Sequence, residues 1–354
     1  MSIVTNGRLL YAAHPTTFQL PGVHTKYVEV KIDLETVALD GGVLIRTLAL
    51  SSDPVVRIRM RDPKIDHFFP ALILGRPIDN WGVGVVVRSE KPGFQPGDFV
   101  YGFISFENYS VYPGPPEAQH QFQFLQKIAK HPSIPASVYV HDLGMTGETA
   151  YAGWHAYAKE KAKTSKTFFV NSAAGPVGTF LIEYVRHIHP HIKIIASAGS
   201  AEKLEILKEA GADVVFNYKT TNTGKVLAEH GPVDIFWDHV GGTVLDDTLL
   251  NMAQFGIIIR VGTVTGYNEE DTGIKNIKHV VFKSLTMHGL VIGIGEAMQT
   301  AAVPFLEEAT KLVLDGTIKT REWRFEGLQQ AGQALADVHF GQQIGKPIII
   351  VAED

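Results

Sequence analysis

Cysteine is absent from all 354 residues. That excludes disulfides, a thiolate nucleophile, cysteine-ligated zinc and iron–sulfur clusters; a reducing compartment is compatible with the lack but not established by it. A basic excess is missing as well. With a net charge of −5, no surface for nucleic acid or anionic membrane is expected. No long apolar run occurs: GVGVVV, HGLVIGIG and PIIIV fall far short of the ~20 residues of a membrane span. The opening MSIVTNGRLLYAAHP lacks a basic flank ahead of an apolar core, and the closing VAED matches no address tag, so no signal peptide or targeting tail is expected. Internal repeats, low-complexity tracts and charge blocks are lacking too. What is there, 45% hydrophobic and 19% charged residues, suits a globular protein with a real core. The length allows two domains, and a cytoplasmic protein is the expectation.

The pattern of elements changes along the chain. Short strands such as YVEVKIDL, GVLIRTLAL, GVGVVVRS and DFVYGFISF, separated by Gly/Pro turns, predict an antiparallel or barrel-like β domain in the first ~130 residues. Beyond it, FFVNSA (168–173), IKIIASAG (192–199), ADVVFNY, VDIFWDHV and GIIIRVGTV alternate with helical stretches at 176–188 and 201–210. Strand–helix repetition with buried, β-branched strands indicates a doubly wound parallel sheet. The tail from about Thr317 returns to strands with one helix and ends in PIIIV. The reading is α/β, with residues 131–317 inserted between the parts of a β-rich domain, 1–130 and 318–354. Segment 120–136 is the expected junction.

Residues 171–180, NSAAGPVGTF, follow a predicted strand and open a predicted helix, which is the setting of a dinucleotide-binding loop. Gly175 allows close backbone approach to a pyrophosphate, and Gly178 lets the helix pack closely on the sheet. Ala173 stands where the first glycine of G-x-G-x-x-G is usual, a mild loss if the turn there avoids positive φ. Pro176 suits the first helical position, and its missing N–H leaves donors such as Val177 for the phosphate. An NAD site usually carries Asp or Glu at the end of the second strand; here that place reads Ala198-Gly199-Ser200. Lys203 follows in the first helical turn, where a cation opposes the helix dipole. It is either balanced by a nearby anion such as a 2′-phosphate, or it is a solvated lysine offset by Glu202. The missing acid favours NADP.

Nine segments in order resemble the zinc-independent medium-chain reductases, in the branch of the prostaglandin reductases and the alkenal or enone double-bond reductases. They are LSSDPVVRIRM, LGRPIDNWGVGVVV, HDLGMTGETAYAG, NSAAGPVG, GSAEKLEIL, VVFNYK, DHVGG, VGTVTGYN and GQQIGKPIIIV. The resemblance covers essentially the whole chain. It implies a Rossmann domain inserted in a GroES-like barrel domain, NADPH as cofactor, and a homodimer paired through the strand near LTMHGLVIGI. Gly175, Pro176, Val177 and Gly178 would meet the pyrophosphate, and Ser200, Lys203 and Tyr218 the 2′-phosphate end. Met145, Thr149, Val261, Gly262, Thr263, Val264, Tyr267, Leu290, Val291 and Ile292 would surround the nicotinamide half, with His239 and Gln343 also at the cofactor. Val55 and Tyr267 would face the substrate. The departures leave the cofactor reading intact and bear on substrate choice. Val55 replaces the tyrosine of DPYMR, His239 and Gln343 replace asparagines, Thr146 replaces a proline, and Glu148 adds a charge.

Reducing a conjugated C=C bond needs a hydride donor, a hydrogen-bond donor for the enolate oxygen and a proton for the α-carbon. The first falls to NADPH and the second to Tyr267; water or Tyr267 is expected to supply the third. The expected activity is therefore NADPH-dependent reduction of α,β-unsaturated aldehydes or ketones. NADPH:quinone reduction and a non-catalytic NADPH-binding role are the alternatives. No metal is expected, since cysteine ligands are missing and the G-H-E segment of the zinc enzymes reads Gly75-Arg76-Pro77. Other patterns are expected to be structural. His187, His189 and His191 (HIHPH) read as a helix-to-strand connection broken by Pro190. Tyr157 and Lys161 have Y-x-x-x-K spacing but precede the nucleotide loop. Arg57, Arg59 and Arg61 read as a solvated face, and His141 and His155 as packing residues.

Overall fold

Residues 2–113, 124–268 and 273–353 are described by a computed structural model, and they fold as two units. The first joins Met1–His141 to Glu322–Asp354, and the second is Asp142–Arg321. The chain thus crosses between units at 141/142 and 321/322, against 130/131 and 317/318 read from the sequence.

Strands β1 (Ile3–Tyr11), β2 (Thr25–Asp33), β3 (Val43–Ser51), β4 (Asp79–Ser89), β5 (Phe99–Ser105), β6 (Tyr109–Tyr112) and β7 (Leu125–Lys127) open the first unit. The second unit holds β8 (Thr167–Val170), β9 (Lys193–Ala198), β10 (Val214–Asn217), β11 (Val233–Asp238), β12 (Met252–Arg260) and β13 (Thr286–Gly289). The chain then returns to the first unit with β14 (Glu322–Glu326) and β15 (Lys346–Ile350).

In the first unit β1 and β2 form a two-stranded antiparallel ladder. The larger sheet runs β14-β15-β3-β4-β5-β7, with β6 also on β3. Its strands bury Val43, Val100, Ile104 and Ile349 against Leu9, Phe106 and Leu335; each such side chain adds roughly 1.5–3 kcal/mol of burial. Part of the expected junction belongs to this sheet, because Leu125–Lys127 pair with Gly102–Val100 of β5. Residues 120–123 of that junction lie outside the described residues.

The arginine run is a correction to the sequence reading. Arg57 and Arg59 are only 9% and 3% exposed, not solvated. Arg57 donates to the carbonyls of Thr17 and Pro15, and Arg59 binds the Asp79 carboxylate at 2.5 Å and the Pro70 carbonyl. Arg61 donates to the Ile65 and Phe69 carbonyls. Residues 55–59 are a short helix after Pro54, which turns these guanidinium forks onto loop carbonyls that would otherwise lack donors.

The six strands of the second unit are all parallel, in the order β10-β9-β8-β11-β12-β13. Counted within the unit this is 3-2-1-4-5-6, the doubly wound order whose crevice opens at the carboxyl ends of its first and fourth strands, here β8 and β11. The strands read as near-continuous apolar runs: TFFV of β8 is wholly buried. Phe169, Ile195, Phe236 and Ile258 form the core with Leu245 and Leu249 of the helix Gly242–Asn251. Among the described residues no helix is long and apolar enough to cross a membrane.

Candidate nucleotide-binding site

Strand β8 stops at Val170, and the chain turns through Asn171–Gly175 into the helix Pro176–Ile188. The positive φ of this turn falls on Ser172 (47°), so Ala173 takes the usual glycine place without strain. Ala173 is fully buried, and its N–H is bound to the Ser197 carbonyl of β9 at 3.0 Å. Gly178 faces this backbone: a Cβ there would lie 2.4 Å from the Ala173 oxygen and 2.6 Å from its Cα. Gly175 faces open space, where a Cβ would meet only the Ser172 oxygen at 3.5 Å. Pro176 begins the helix and no side chain caps it, so the N–H groups of Val177 and Gly178 have no partner in the helix itself. An open glycine followed by uncapped donors is a fit for a phosphate.

At the end of β9, Ser200 caps the helix Ala201–Glu209 by accepting the Lys203 N–H at 3.4 Å. Burial lowers the Lys203 pKa first, repulsion from Lys219 lowers it further, and Glu202 opposes both. Tyr218 is 48% exposed, and its N–H is bound to the Ala198 carbonyl. A Cβ on Gly199 would come 2.9 Å from the Tyr218 hydroxyl and 3.1 Å from Cε of Lys219. The glycine therefore makes the notch into which both side chains lean.

A polar knot joins the ends of β8 and β11. The fully buried Asp238 accepts Asn171 Nδ2 at 2.7 Å and the N–H groups of Val240 and Gly241, and it pairs with Arg260 at 2.9 Å. His239 donates its N–H to Asn171 Oδ1. Its ring is used on both sides: Nδ1 meets the Asn171 carbonyl at 2.9 Å, and Nε2 accepts the Trp237 indole N–H at 3.1 Å. Burial lowers the His239 pKa most, against the Asn171 carbonyl and Asp238, so the ring is a neutral latch of the crevice floor.

The residues expected around the nicotinamide all belong to the second unit. Met145 and Thr149 share the first turns of the helix Met145–Gly153, with Thr149 Oγ1 donating to the Met145 carbonyl at 2.7 Å. Gly153 admits Leu290 and Trp237, which a Cβ would meet at 2.4 and 2.6 Å. Leu290 is buried, and Val291 and Ile292 are partly exposed beyond it. After β12 come Val261, Gly262 and Thr263, then the single turn Val264–Tyr267, which folds the Tyr267 hydroxyl back over Gly262. A Cβ on Gly262 would lie 3.4 Å from that hydroxyl and 3.2 Å from the His239 carbonyl. Burial raises the Tyr267 pKa and a backbone hydrogen bond from Thr263 pulls it down. With its pKa raised, the phenol keeps its proton at neutral pH.

Val55 and Gln343 belong to the first unit. Val55 opens the short helix Val55–Arg59 and is partly buried; Gln343 Nε2 reaches the Val338 carbonyl at 3.4 Å. The residues read as structural have local partners. His155 Nε2 meets the Tyr184 hydroxyl at 2.6 Å, and His141 Nε2 meets Glu322 at 3.2 Å. The Tyr157 ring stacks on His288. His189 and His191 meet edge to face, and among the described residues no group of three or more His, Asp or Glu could hold a metal ion. Asn171, Trp237, Asp238, Arg260 and Lys219 escaped the sequence reading as site residues. Four of the five lie inside or beside the motifs NSAAGPVG, DHVGG and VVFNYK; Arg260 directly precedes VGTVTGYN and carried no signal of its own.

Comparison with known proteins places this geometry in a family. Residues 176–308 match the family described as zinc-binding dehydrogenase, and residues 24–119 match that described as the N-terminal domain of oxidoreductase. A zinc-type alcohol dehydrogenase-like protein of Schizosaccharomyces pombe is 32% identical over 338 residues, 94% of each chain. The 2-alkenal reductase (NADP(+)-dependent) of Nicotiana tabacum is 32% identical over 333 residues, 92% of each chain. Among solved structures, CurA from Vibrio vulnificus in complex with NADPH superposes with a TM-score of 0.83 at 23% identity, covering 98% of this chain and 100% of the other. The chain is an oxidoreductase and belongs to the medium-chain dehydrogenase/reductase family, in the branch of the prostaglandin reductases and the alkenal or enone double-bond reductases.

Proposed function

We propose that the protein is a cytoplasmic, NADPH-dependent reductase of the C=C bond of α,β-unsaturated aldehydes or ketones that works without a metal ion. The observation that carries this reading is the Tyr267 hydroxyl: it stands over Gly262 at the end of β12, and burial, by raising its pKa, keeps the phenol protonated. The tobacco relative, by name a 2-alkenal reductase, supports the substrate class. Gly175 and the N–H groups of Val177 and Gly178 would hold the pyrophosphate of NADPH, and Ser200, Lys203 and Tyr218 its 2′-phosphate. Met145, Thr149, Val261–Val264 and Leu290–Ile292 would border the nicotinamide half. When bound, NADPH supplies the hydride for the β-carbon. The protein's part is to donate the Tyr267 O–H to the carbonyl oxygen, where enolate charge develops. The same phenol, or a water beside it, then provides the α-carbon proton. His239 fixes the crevice floor rather than exchanging protons, because both ring nitrogens are engaged.

The test is NADPH oxidation against a panel of enals, enones, quinones and alcohols, with product analysis and both cofactors. Tyr267→Phe is expected to lower kcat about 10²–10³-fold, the scale of losing one oxyanion donor, with NADPH affinity unchanged. Unaltered turnover would remove the tyrosine from the mechanism. Turnover confined to quinones would make the protein a quinone reductase, and nucleotide binding without turnover on any acceptor would make it a non-catalytic binder.

A homodimer is part of the proposal. Strand β13 closes the six-stranded sheet with one ladder, to β12, and exposed Val281, Phe282 and Phe255 flank it. An edge strand bordered by apolar side chains is a surface that a second copy covers by strand pairing.

A further inference from the structure

The end of β10 is built to aim one more residue at the notch over Gly199. Asn217 Oδ1 accepts the Lys219 N–H at 3.0 Å, an Asx-type turn that sets the chain direction just past the strand. The Tyr218 N–H is tied back to Ala198, the last residue of β9, at 3.2 Å. Together these bonds lay the Lys219 stem along Gly199, where a Cβ would already come 3.1 Å from Cε. From the other side the Ser200 cap fixes the first helical turn, on which Lys203 sits. Two ammonium groups are thus brought close enough for Lys219 to repel Lys203. No carboxylate ends β9, and at Lys203 Glu202 only partly offsets burial and the Lys219 repulsion. Like charges held together by backbone bonds cost free energy in the empty site, and a ligand that neutralises both recovers it.

We infer that Lys219 is a second cation of the 2′-phosphate subsite, and that with Lys203 it makes this end of the crevice selective for 2′-phosphorylated adenosine nucleotides over those with a free ribose hydroxyl. The inference rests on the NADPH reading above and adds to it a specificity-determining residue. A phosphate monoester carries a charge near −2 at neutral pH, so two lysines match it where one would leave charge uncompensated. Tyr218, leaning into the same notch, supplies a hydroxyl donor beside the two cations.

The test is calorimetric binding of adenosine 2′,5′-bisphosphate and of 5′-AMP to the full-length protein, alone and as Lys219→Ala, Lys219→Glu and Lys203→Ala. Lys219 is exposed, so its variants are expected to melt with the wild type. The wild type is expected to favour the bisphosphate. Lys219→Ala should weaken the bisphosphate about fivefold, the upper range for an exposed ion pair, and leave AMP unchanged. Lys219→Glu should weaken it further, and the bisphosphate should also show the steeper salt dependence. If Lys219→Ala affects both nucleotides equally or neither, while Lys203→Ala still removes the preference, the role of Lys219 is overturned and the NADPH reading stands. If the wild type has no preference at all, the NADPH reading falls and the inference with it.

Discussion

Two glycines of one loop differ in what they are for. Gly178 is required by the fold, since any Cβ would sit inside contact distance of the Ala173 backbone, which has no flexible end to yield. Gly175 is required only by what approaches from outside, since its Cβ position is open and its φ of −78° is ordinary. Gly178→Ala is therefore expected to cost about 1–3 kcal/mol of stability, as overpacking does. Gly175→Ala should change stability by less than ~0.5 kcal/mol yet weaken NADPH binding at least tenfold. Urea denaturation and nucleotide titration of both variants check this; equal stability losses would show that the two glycines do the same work. At this scale the sequence was informative where a residue acts locally: Pro176 starts the helix. It was uninformative where the partner is remote. Arg57 and Arg59 satisfy carbonyls at 15, 17 and 70, and no local pattern distinguishes such arginines from a solvated row. The same holds for His239, whose role depends on Asn171, distant in sequence.

Among elements, the buried runs of β8, β9, β11 and β12 could be read directly, because a parallel strand covered on both faces leaves an unbroken apolar signature. Shorter pieces were hidden. Strand β7 has three residues and a weakly buried pattern, and only its ladder to β5 makes it a strand. The helix begun at Met145 passes through a π turn at Trp154–Ala158 before resuming; that insertion turns Tyr157 onto His288, which a 3.6-residue period does not foresee. Strand β13 lies in the LTMHGLVIGI segment already expected to pair with a second copy, and its edge carries the proposed assembly. Phe282, 69% exposed beside it, gives the discriminating change. Phe282→Glu should convert a dimer into a folded monomer by placing a charge on a desolvated edge. Sedimentation with thermal melting reads both properties; a dimer that tolerates the charge would move the interface elsewhere.

For the whole molecule, stability is bounded on the acid and the alkaline side by buried titratable groups of opposite sense. In the first unit, burial and then the nearby Arg57 charge push His339 down from 6.5 to about 4. Between those values the unfolded chain binds a proton that the folded chain refuses, so this contribution is present above pH 6.5 and is lost as pH falls towards 4. His239 adds to the acid limb in the second unit, as its pKa is also lowered by burial. Glu148, a departure visible in the sequence on the helix of Met145 and Thr149, acts the other way. Burial pushes its carboxyl up from 4.5 to about 7, so the folded state holds a proton that the unfolded state has released. That contribution is present below pH 4.5 and is lost as pH rises through 7. His339→Gln should then flatten the acid limb, and Glu148→Gln should raise stability at pH 8 by on the order of 1–2 kcal/mol while changing little at pH 4.5. The tryptophans separate the two effects. Trp81 and Trp323 report the first unit and the buried Trp154 and Trp237 the second, so fluorescence-detected urea midpoints of variants retaining one pair follow each unit. The His339 effect should appear with the first pair and the Glu148 effect with the second. A Glu148→Gln protein whose profile matches the wild type from pH 5 to 8 would mean that this carboxyl is ionised in the folded helix, already solvated or paired at neutral pH.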